Sequence, residues 1–550
     1  MPPPKKTRLD TNNLQDAIEQ AGLTQKAVAN NSSNLSRLDP KERVSVIGFL
    51  GSPVDETDPY KSLSTTASAL RGSSFQEMKT LSTPTGSSAP FPVVGTYGLY
   101  VREAYEKLYN QIILKFRDSP SKRTTSKEIV VTGTAGIGKS AFLAYFTIRL
   151  LATAGDNDPP IVIFQEKGSS ECYVYGGLST LRCGDIKVFE PFLNLPETWY
   201  LVDSSPNPKL GRARTIISAS PKTLYAEKNF KDVDKEVAWR YYMAPWKLEE
   251  LEQCRIGVEG FNVVSKDLLE ELFRMIGGVP RYVLKRPMKV LEICPNDTTH
   301  AKKSAFERVG LAIDFVKDPQ MMMQCLAQGK ESLQHSSRLL HRWPTDDHSD
   351  FCLEWASVYI ADKIGESMQD VTWQQILNRL TGVDVGTAKG PMFELYVRHI
   401  FRKGGYEFRI KDLQDGTETT IEVPPNPSVV VFDEIPEVPP PGTLCIPTIC
   451  NHACIDLLLS PGHLFQVTVS KKHAIKGPPF SNLLENLKGK KWISSSEDAC
   501  LVFVVPSEIY DNFQEQKIPK VIQSVKQFVL KIDLKSASTG KPPGIRGPAF

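Results

Sequence analysis

The stretch from Glu128 to Gly155, EIVVTGTAGIGKSAFLAYFTIRLLATAG, decides the fold of the first half of the chain. Within it, Gly133-Thr134-Ala135-Gly136-Ile137-Gly138-Lys139-Ser140 fills the pattern G-x-x-x-x-G-K-[ST] at every fixed position. A β-branched run precedes the motif and an apolar helical run follows it. The glycines let successive backbone N–H groups, with the positive end of the next helix, face a polyphosphate. Lys139 places a cation on the outer phosphates, and Ser140 offers an oxygen to Mg²⁺. The expected cofactors are therefore ATP and Mg²⁺.

Outward from this loop, short apolar runs at 129–132, 161–164, 199–202 and 215–218 alternate with helical patterns, as a parallel phosphate-binding sheet requires. A helix is expected over 139–154 with Gly155 as its stop, and a hairpin from 172–175 and 186–189. The run Trp199-Tyr200-Leu201-Val202 ends in Asp203, the Walker B pattern of a metal-orienting carboxylate; an ordinary strand cap is the competing reading. Many such ATPases carry a glutamate base immediately after that aspartate. Ser204 and Ser205 stand there instead, which points to slow turnover. Ser218 and Ser220 offer hydroxyls to the γ-phosphate. Gly277-Gly278-Val279-Pro280-Arg281 resembles the GxP element of the signal-transduction ATPases with numerous domains, and Arg281 is a candidate cation for the nucleotide, with Arg212 and Arg214 as alternatives.

At 550 residues the chain exceeds one hydrophobic core. Composition is that of a water-exposed globular chain, with 41% hydrophobic and 23% charged residues, and no run is apolar enough to span a bilayer, so no membrane partner is expected. The net charge of +3 confines any nucleic-acid contact to local patches. Ten cysteines, most of them scattered singly, suit a reducing compartment. The N-terminus lacks the apolar core of a conventional secretory leader. Its Lys5-Lys6-Thr7-Arg8 run reads either as a nuclear import signal or as a solvated tail.

Composition divides the rest. Residues 1–92 read as a mostly disordered arm and linker, Ser/Thr/Gly/Pro-dense from 55 onward, with at most a short helix through Leu14 and Ile18. Residues 93–245 are the nucleotide-binding core, 246–381 a helical domain, 382–535 a separate α/β domain and 536–550 a flexible tail. The Met321-Met322-Met323 run reads as adaptable core packing.

In the last domain, Glu394 lies on a helix, Asp456 opens the strand run LLL, and Gln466 lies within LFQVTVS, across the turn Ser460-Pro461-Gly462. The turn brings Asp456 and Gln466 to neighbouring positions, with Glu394 approaching from the helix. Carboxylates and a carbonyl in that arrangement suit Mg²⁺ and in-line attack of water on a phosphodiester, with Asp456 as the metal ligand. The layout resembles the restriction-endonuclease-like superfamily, whose pattern is an aspartate, a spacer and [DEQ]-x-K. Thr468 stands at the lysine position, so either Lys471 or Lys472 supplies the cation or cleavage has been lost. Lys471-Lys472-His473 with Lys488, Lys490 and Lys491 beside Trp492 is a candidate phosphate-backbone patch, or a solvated basic face. Cys445, Cys450, His452 and Cys454 have a spacing that argues against zinc.

The ordered set YVREAY (from Tyr100), IVVTGTAGIGKS, WYLVD, GGVPR and FQVTVSKKH resembles the Crinkler and retrotransposon-hot-spot proteins. The resemblance covers about residues 95–510. It implies an α/β architecture of a P-loop NTPase, with an AAA- or STAND-like parallel sheet, joined to a helical domain and a restriction-endonuclease-like domain. It further implies nuclear action, and for Crinkler effectors secretion and entry into a host nucleus. The LFLAK-like and HVLVxxP motifs of those effectors are not found here. The implied activity is ATP hydrolysis governing a DNA nuclease, or ATP-switched DNA binding without cleavage. The implied partners are ATP, DNA, the nuclear import machinery and a second copy of the chain as a homo-oligomer.

Overall fold

β-Branched and aromatic runs suit a sheet covered on both faces, and those around the glycine loop become strands. In the computed structural model, residues 12–24, 35–117, 127–205, 208–226, 239–326, 333–368, 373–378, 389–448, 455–473, 475, 477–518, 525–534 and 545–546 are described. Two compact units result: Met1–Leu269 with Gly278–Ala301 and Trp343–Phe351, and Glu270–Gly277 with Lys302–Arg342 and Cys352–Phe550.

The first unit is built on β1 (Ser52–Pro53), β2 (Glu128–Gly133), β3 (Ile161–Gln165), β4 (Glu171–Gly176), β5 (Thr180–Asp185), β6 (Trp199–Asp203), β7 (Arg214–Ser218) and β8 (Trp239–Met243). Their order across the sheet is β1-β5-β4-β3-β6-β7-β2-β8. The five strands β3, β6, β7, β2 and β8 are mutually parallel. Strands β4, β5 and β1 extend the sheet antiparallel. Every residue of β2, β3 and β6 is buried. This order sets the carboxyl ends of β2, β6 and β7 side by side, the place where open parallel sheets take ligands.

Several expectations are corrected here. The strand pairing with β4 is β5, not 186–189, because Ile186–Leu193 is helical. Its first turn is capped by Asp185, whose side chain accepts the Lys187 N–H at 2.9 Å. The arm carries the short helix expected through Leu14 and Ile18, as Leu14–Gln20, but also an unexpected helix Pro40–Ile47, and Ala17, Ile18, Val46, Ile47 and Leu50 share a core with Ile163, Val174 and Phe189. The expected linker holds α1 (Lys61–Ala69), in which Leu63, Thr66 and Ala67 are fully buried. Its polar side chains turn back on the backbone: Ser62 Oγ donates to Pro59 O at 2.6 Å and Ser64 Oγ to Lys61 O at 3.0 Å. That pairing lets much of a Ser/Thr-rich stretch be buried with its hydroxyls satisfied, although the buried Thr66 Oγ1 has no hydrogen-bond partner among the described residues.

Next come α2 (Glu103–Arg117), which buries Tyr105, Leu108, Tyr109 and Ile112, and α3 (Lys139–Thr153), apolar around most of its girth as its position against the sheet demands. The stretch expected as one helical domain, 246–381, is shared between the two units and includes a two-stranded hairpin, Leu340–Pro344 with Phe351–Trp355. Met322 is buried in it.

The second unit contains α4 (Lys389–Lys403) and a nine-stranded mixed sheet. The strands are β9 (Tyr406–Asp412), β10 (Glu418–Val423), β11 (Val429–Phe432), β12 (Leu444–Pro447), β13 (Leu457–Leu459), β14 (His463–Val467), β15 (Cys500–Pro506), β16 (Lys526–Ile532) and β17 (Ile545–Arg546). The order is β10-β9-β16-β15-β14-β13-β12-β11, with β17 on β9. Helix α5 (Gly477–Gly489) covers it with Phe480, Leu483, Leu484 and Leu487. Among the described residues, no helix is long and apolar enough to cross a membrane. The basic run Lys5–Arg8 and three of the four candidate zinc ligands, Cys450, His452 and Cys454, lie outside the described residues; Cys445 is buried in β12.

Candidate functional site

The glycine loop leaves β2 and enters α3 through Gly138, whose φ of 98° lies in the left-handed region. Only glycine adopts that conformation without strain, and here a side chain has no room either. A Cβ on Gly138 would sit 2.4 Å from the Tyr105 hydroxyl. That hydroxyl donates to Gly138 O at 2.8 Å. A second brace comes from beyond β8, where Trp246 Nε1 donates to Ile137 O at 2.7 Å. Arg102 fixes the segment that carries this tryptophan. Its guanidinium pairs with Glu250 at 2.9 Å, donates to Ala244 O and Pro245 O, and lies 4.7 Å from the Trp246 ring centroid. Tyr105, Trp246 and Arg102 therefore hold the loop in shape from outside the motif. Spacing within the motif gives no sign of them.

Lys139 is buried, and its Nζ donates to Gly133 O at 3.1 Å and Thr134 O at 2.7 Å, so the ammonium is folded into the loop that a polyphosphate would fill. Ser140 Oγ donates to Asp203 Oδ1 at 2.7 Å, and Ser218 Oγ donates to the same oxygen at 3.1 Å. Asp203, 2% exposed, therefore collects the loop serine and the hydroxyl ending the next strand. Of the residues expected to form one site, Ser140 and Asp203 are joined by a hydrogen bond, and Lys139 lies on the loop carbonyls of Gly133 and Thr134. Two hard oxygen donors, the Ser140 hydroxyl and the Asp203 carboxylate, in hydrogen-bond contact suit Mg²⁺.

Arg281 lies on a π-helical turn, Arg281–Lys285, a winding frequent at functional sites. A Cβ on Gly136 would come 3.1 Å from Arg281 Cβ and 3.4 Å from its Nε, so the exposed arginine flanks the loop. Arg214 does not. In the β6–β7 pairing it lies opposite Trp199, while Ser218 lies opposite Asp203, so Arg214 is at the far end of the strands. Its guanidinium sits 5.1 Å from the Trp199 ring centroid. Arg212 is anchored near that end as well, its backbone N–H donating to Leu193 O at 2.8 Å, and it is exposed.

The region read as a linker also reaches the carboxyl edge of the sheet. Tyr60 stacks on Tyr173 with ring centroids 3.8 Å apart, and Asp58 accepts the Tyr173 hydroxyl at 3.1 Å. Burial, then the charges of Glu166 and Asp203, push the Tyr60 hydroxyl up from its ordinary value.

In the second unit, Glu394 on α4 and Asp456 at the start of β13 converge. Burial first, then the Glu394 charge, pushes the Asp456 carboxyl up; the Val467 N–H, donated to Asp456 Oδ2 at 2.7 Å, and the Arg398 charge act the other way. Gln466 falls beside Asp456, since Asp456 N–H donates to Phe465 O at 2.8 Å, and Gln466 and Thr468 are both buried. The cation beside the acids is Arg398, not Lys471. Arg398, 3% exposed, pairs with Glu394 at 2.9 Å one helical turn away. Lys471 and Lys472 are exposed. Lys490 is engaged with Glu437 at 2.8 Å, and Trp492 is buried with its Nε1 on Pro436 O. This acid pair does not fit a divalent cation as it stands. An arginine already meets its charge, Asp456 is held toward the protonated form, and among the described residues no group of three or more His, Cys, Asp or Glu is placed to hold a metal.

No protein-family model matches the chain. It is 24% identical over 467 residues to Crinkler effector protein 15 of Phytophthora infestans, spanning 81% of this chain and 68% of that one. Crinkler effector protein 16 of the same organism is 25% identical over 471 residues, with the same coverage. Among solved structures, the Aeropyrum pernix ORC2 protein in its ADP form aligns with 42% of this chain and 74% of its own at 12% identity and a TM-score of 0.27. Drosophila ORC bound to DNA aligns with 64% and 99% at 13% identity and 0.24. Similarities at those scores carry no argument.

Proposed function

We propose that the protein binds ATP with Mg²⁺ at Gly133–Ser140, hydrolyses it slowly, and uses the bound nucleotide to switch a restriction-endonuclease-like domain that holds DNA without cutting it. The observation that supports the nucleotide site is the meeting of Lys139, Ser140 and Asp203 at the carboxyl edge of a parallel sheet. Lys139 exchanges its two loop carbonyls for phosphate oxygens, and loop N–H groups face the same phosphates. Ser140 and Asp203 would hold Mg²⁺, which supplies charge neutralisation on the phosphate oxygens when bound. Arg281 brings a further cation to the loop's open side.

Binding without cleavage is favoured by the Arg398–Glu394 pair and by Thr468 at the place where the nuclease pattern has lysine. DNA contact then falls to the exposed Lys471 and Lys472 and is electrostatic. Action inside another organism's cell belongs to the same proposal and is supported by the effector names of the two distant relatives, while action inside a nucleus rests on the Lys5-Lys6-Thr7-Arg8 run and the family resemblance. Filter binding of duplex DNA at two salt concentrations, with and without ATP, tests it. Affinity should fall with salt, respond to ATP, survive Asp456→Ala and weaken in Lys471→Ala/Lys472→Ala. Plasmid cleavage in Mg²⁺ that disappears in Asp456→Ala would establish a nuclease instead, and DNA affinity indifferent to ATP would remove the switch.

A further inference from the structure

No glutamate follows Asp203, yet the sheet brings one to the same edge from the neighbouring strand. β3 pairs with β6 in parallel, Gln165 opposite Val202, so the next residues, Glu166 and Asp203, leave the sheet side by side on strands about 4.8 Å apart. The Glu166 N–H donates to Glu171 O at 3.4 Å, continuing the β3–β4 ladder past Gln165 and fixing where Glu166 emerges. Its surroundings are partly desolvated although the residue is reachable by solvent. Several other polar groups at this edge are engaged. Asp203 Oδ1 receives Ser140 and Ser218, and Asp58 receives the Tyr173 hydroxyl. Tyr200 donates to Gln165, whose amide donates to Ser169 O.

We infer that Glu166 is the water-orienting base of the ATPase, an inference that rests on the ATP reading above. The Glu166 carboxylate accepts a hydrogen bond from a water in line with the γ-phosphorus. The water oxygen forms a bond to that phosphorus while the bond to the β,γ-bridging oxygen breaks, and the electron pair leaves on the β-phosphate of ADP. Glu166 takes the water's proton and releases it to solvent, so the products are ADP, phosphate and one proton. Positioned bases of this kind contribute about 10²–10⁴-fold to rate.

The test compares the full chain with Glu166→Gln and Glu166→Asp by phosphate release, fluorescent ATP titration and thermal melting. Glu166→Gln should lower kcat at least about 100-fold while ATP affinity stays within twofold and the melting temperature is unchanged, and Glu166→Asp should fall between. A Glu166→Gln protein that keeps its kcat within twofold overturns the inference, as does a wild type that binds ATP without measurable turnover. A wild type that does not bind ATP overturns the ATP reading and the inference with it.

Discussion

Gly138→Ala and Tyr105→Phe, made singly and together, interrogate the phosphate loop through one contact. At Gly138 the φ of 98° imposes backbone strain of about 1–2 kcal/mol on alanine. The new methyl would also lie 2.4 Å from the Tyr105 hydroxyl but 3.7 Å from its ring carbon, so the clash is with the hydroxyl alone. Pushing that hydroxyl away loses its bond to Gly138 O, worth about 1 kcal/mol. The alanine variant should therefore lose about 2–3 kcal/mol of ATP affinity, roughly 30- to 150-fold. Tyr105→Phe alone loses only the hydrogen bond, roughly fivefold. The double variant keeps the strain and lacks the same bond, so it should bind ATP about as weakly as Gly138→Ala alone, a coupling of about 1 kcal/mol relative to additive losses. Fluorescent-nucleotide titration of the four proteins closes the cycle. Additive losses, with the double variant weakest, would refute this picture of the loop.

Trp246→Phe removes the indole donor to Ile137 O and should weaken ATP binding by about 1 kcal/mol, while the melting temperature of the first unit shifts little; unchanged affinity would show that the brace is idle. Arg398→Met strips the cation from a largely buried ion pair and should destabilise the second unit by about 3–5 kcal/mol in urea unfolding. Because the Asp456 carboxyl is pushed up by burial and by Glu394, the folded state keeps its proton to higher pH than the unfolded chain. Stability from this group is therefore present at low pH and is lost as pH rises from the ordinary carboxylate range toward the raised value. Asp456→Asn, which can still accept the Val467 N–H, should flatten that slope and raise stability at neutral pH; an unchanged slope in urea unfolding at several pH values would contradict it.

What was legible in the sequence had local causes. The glycine spacing of the loop, the β-branched runs of the parallel strands and the acid ending WYLVD are each read within a dozen residues, and the structure places Ser140 on Asp203 and Lys139 on the loop carbonyls. Arg281 was marked by its Gly-Val-Pro turn. The misreadings came from long-range pairing. The Thr180–Asp185 strand lacks a β-branched run and is specified by its ladder with β4, and α1 is a Ser/Thr-rich helix in which the Ser62, Ser64 and Thr65 hydroxyls return to nearby backbone carbonyls. Arg398 was readable in principle, one helical turn from Glu394, and its burial turns an apparent metal site into an internal ion pair. Glu166 carries no sequence signal, because only the register of β3 on β6 brings it beside Asp203.

Calorimetric titration of Mg-ATP into the wild-type chain and into Lys139→Ala, with folding verified by melting, tests the central claim most directly. The loop geometry predicts one site per chain in the wild type and an affinity at least about 100-fold weaker in the variant, since a charge-assisted contact of about 3 kcal/mol is lost. Equal affinity in the two proteins, or no binding to the wild type, would contradict it.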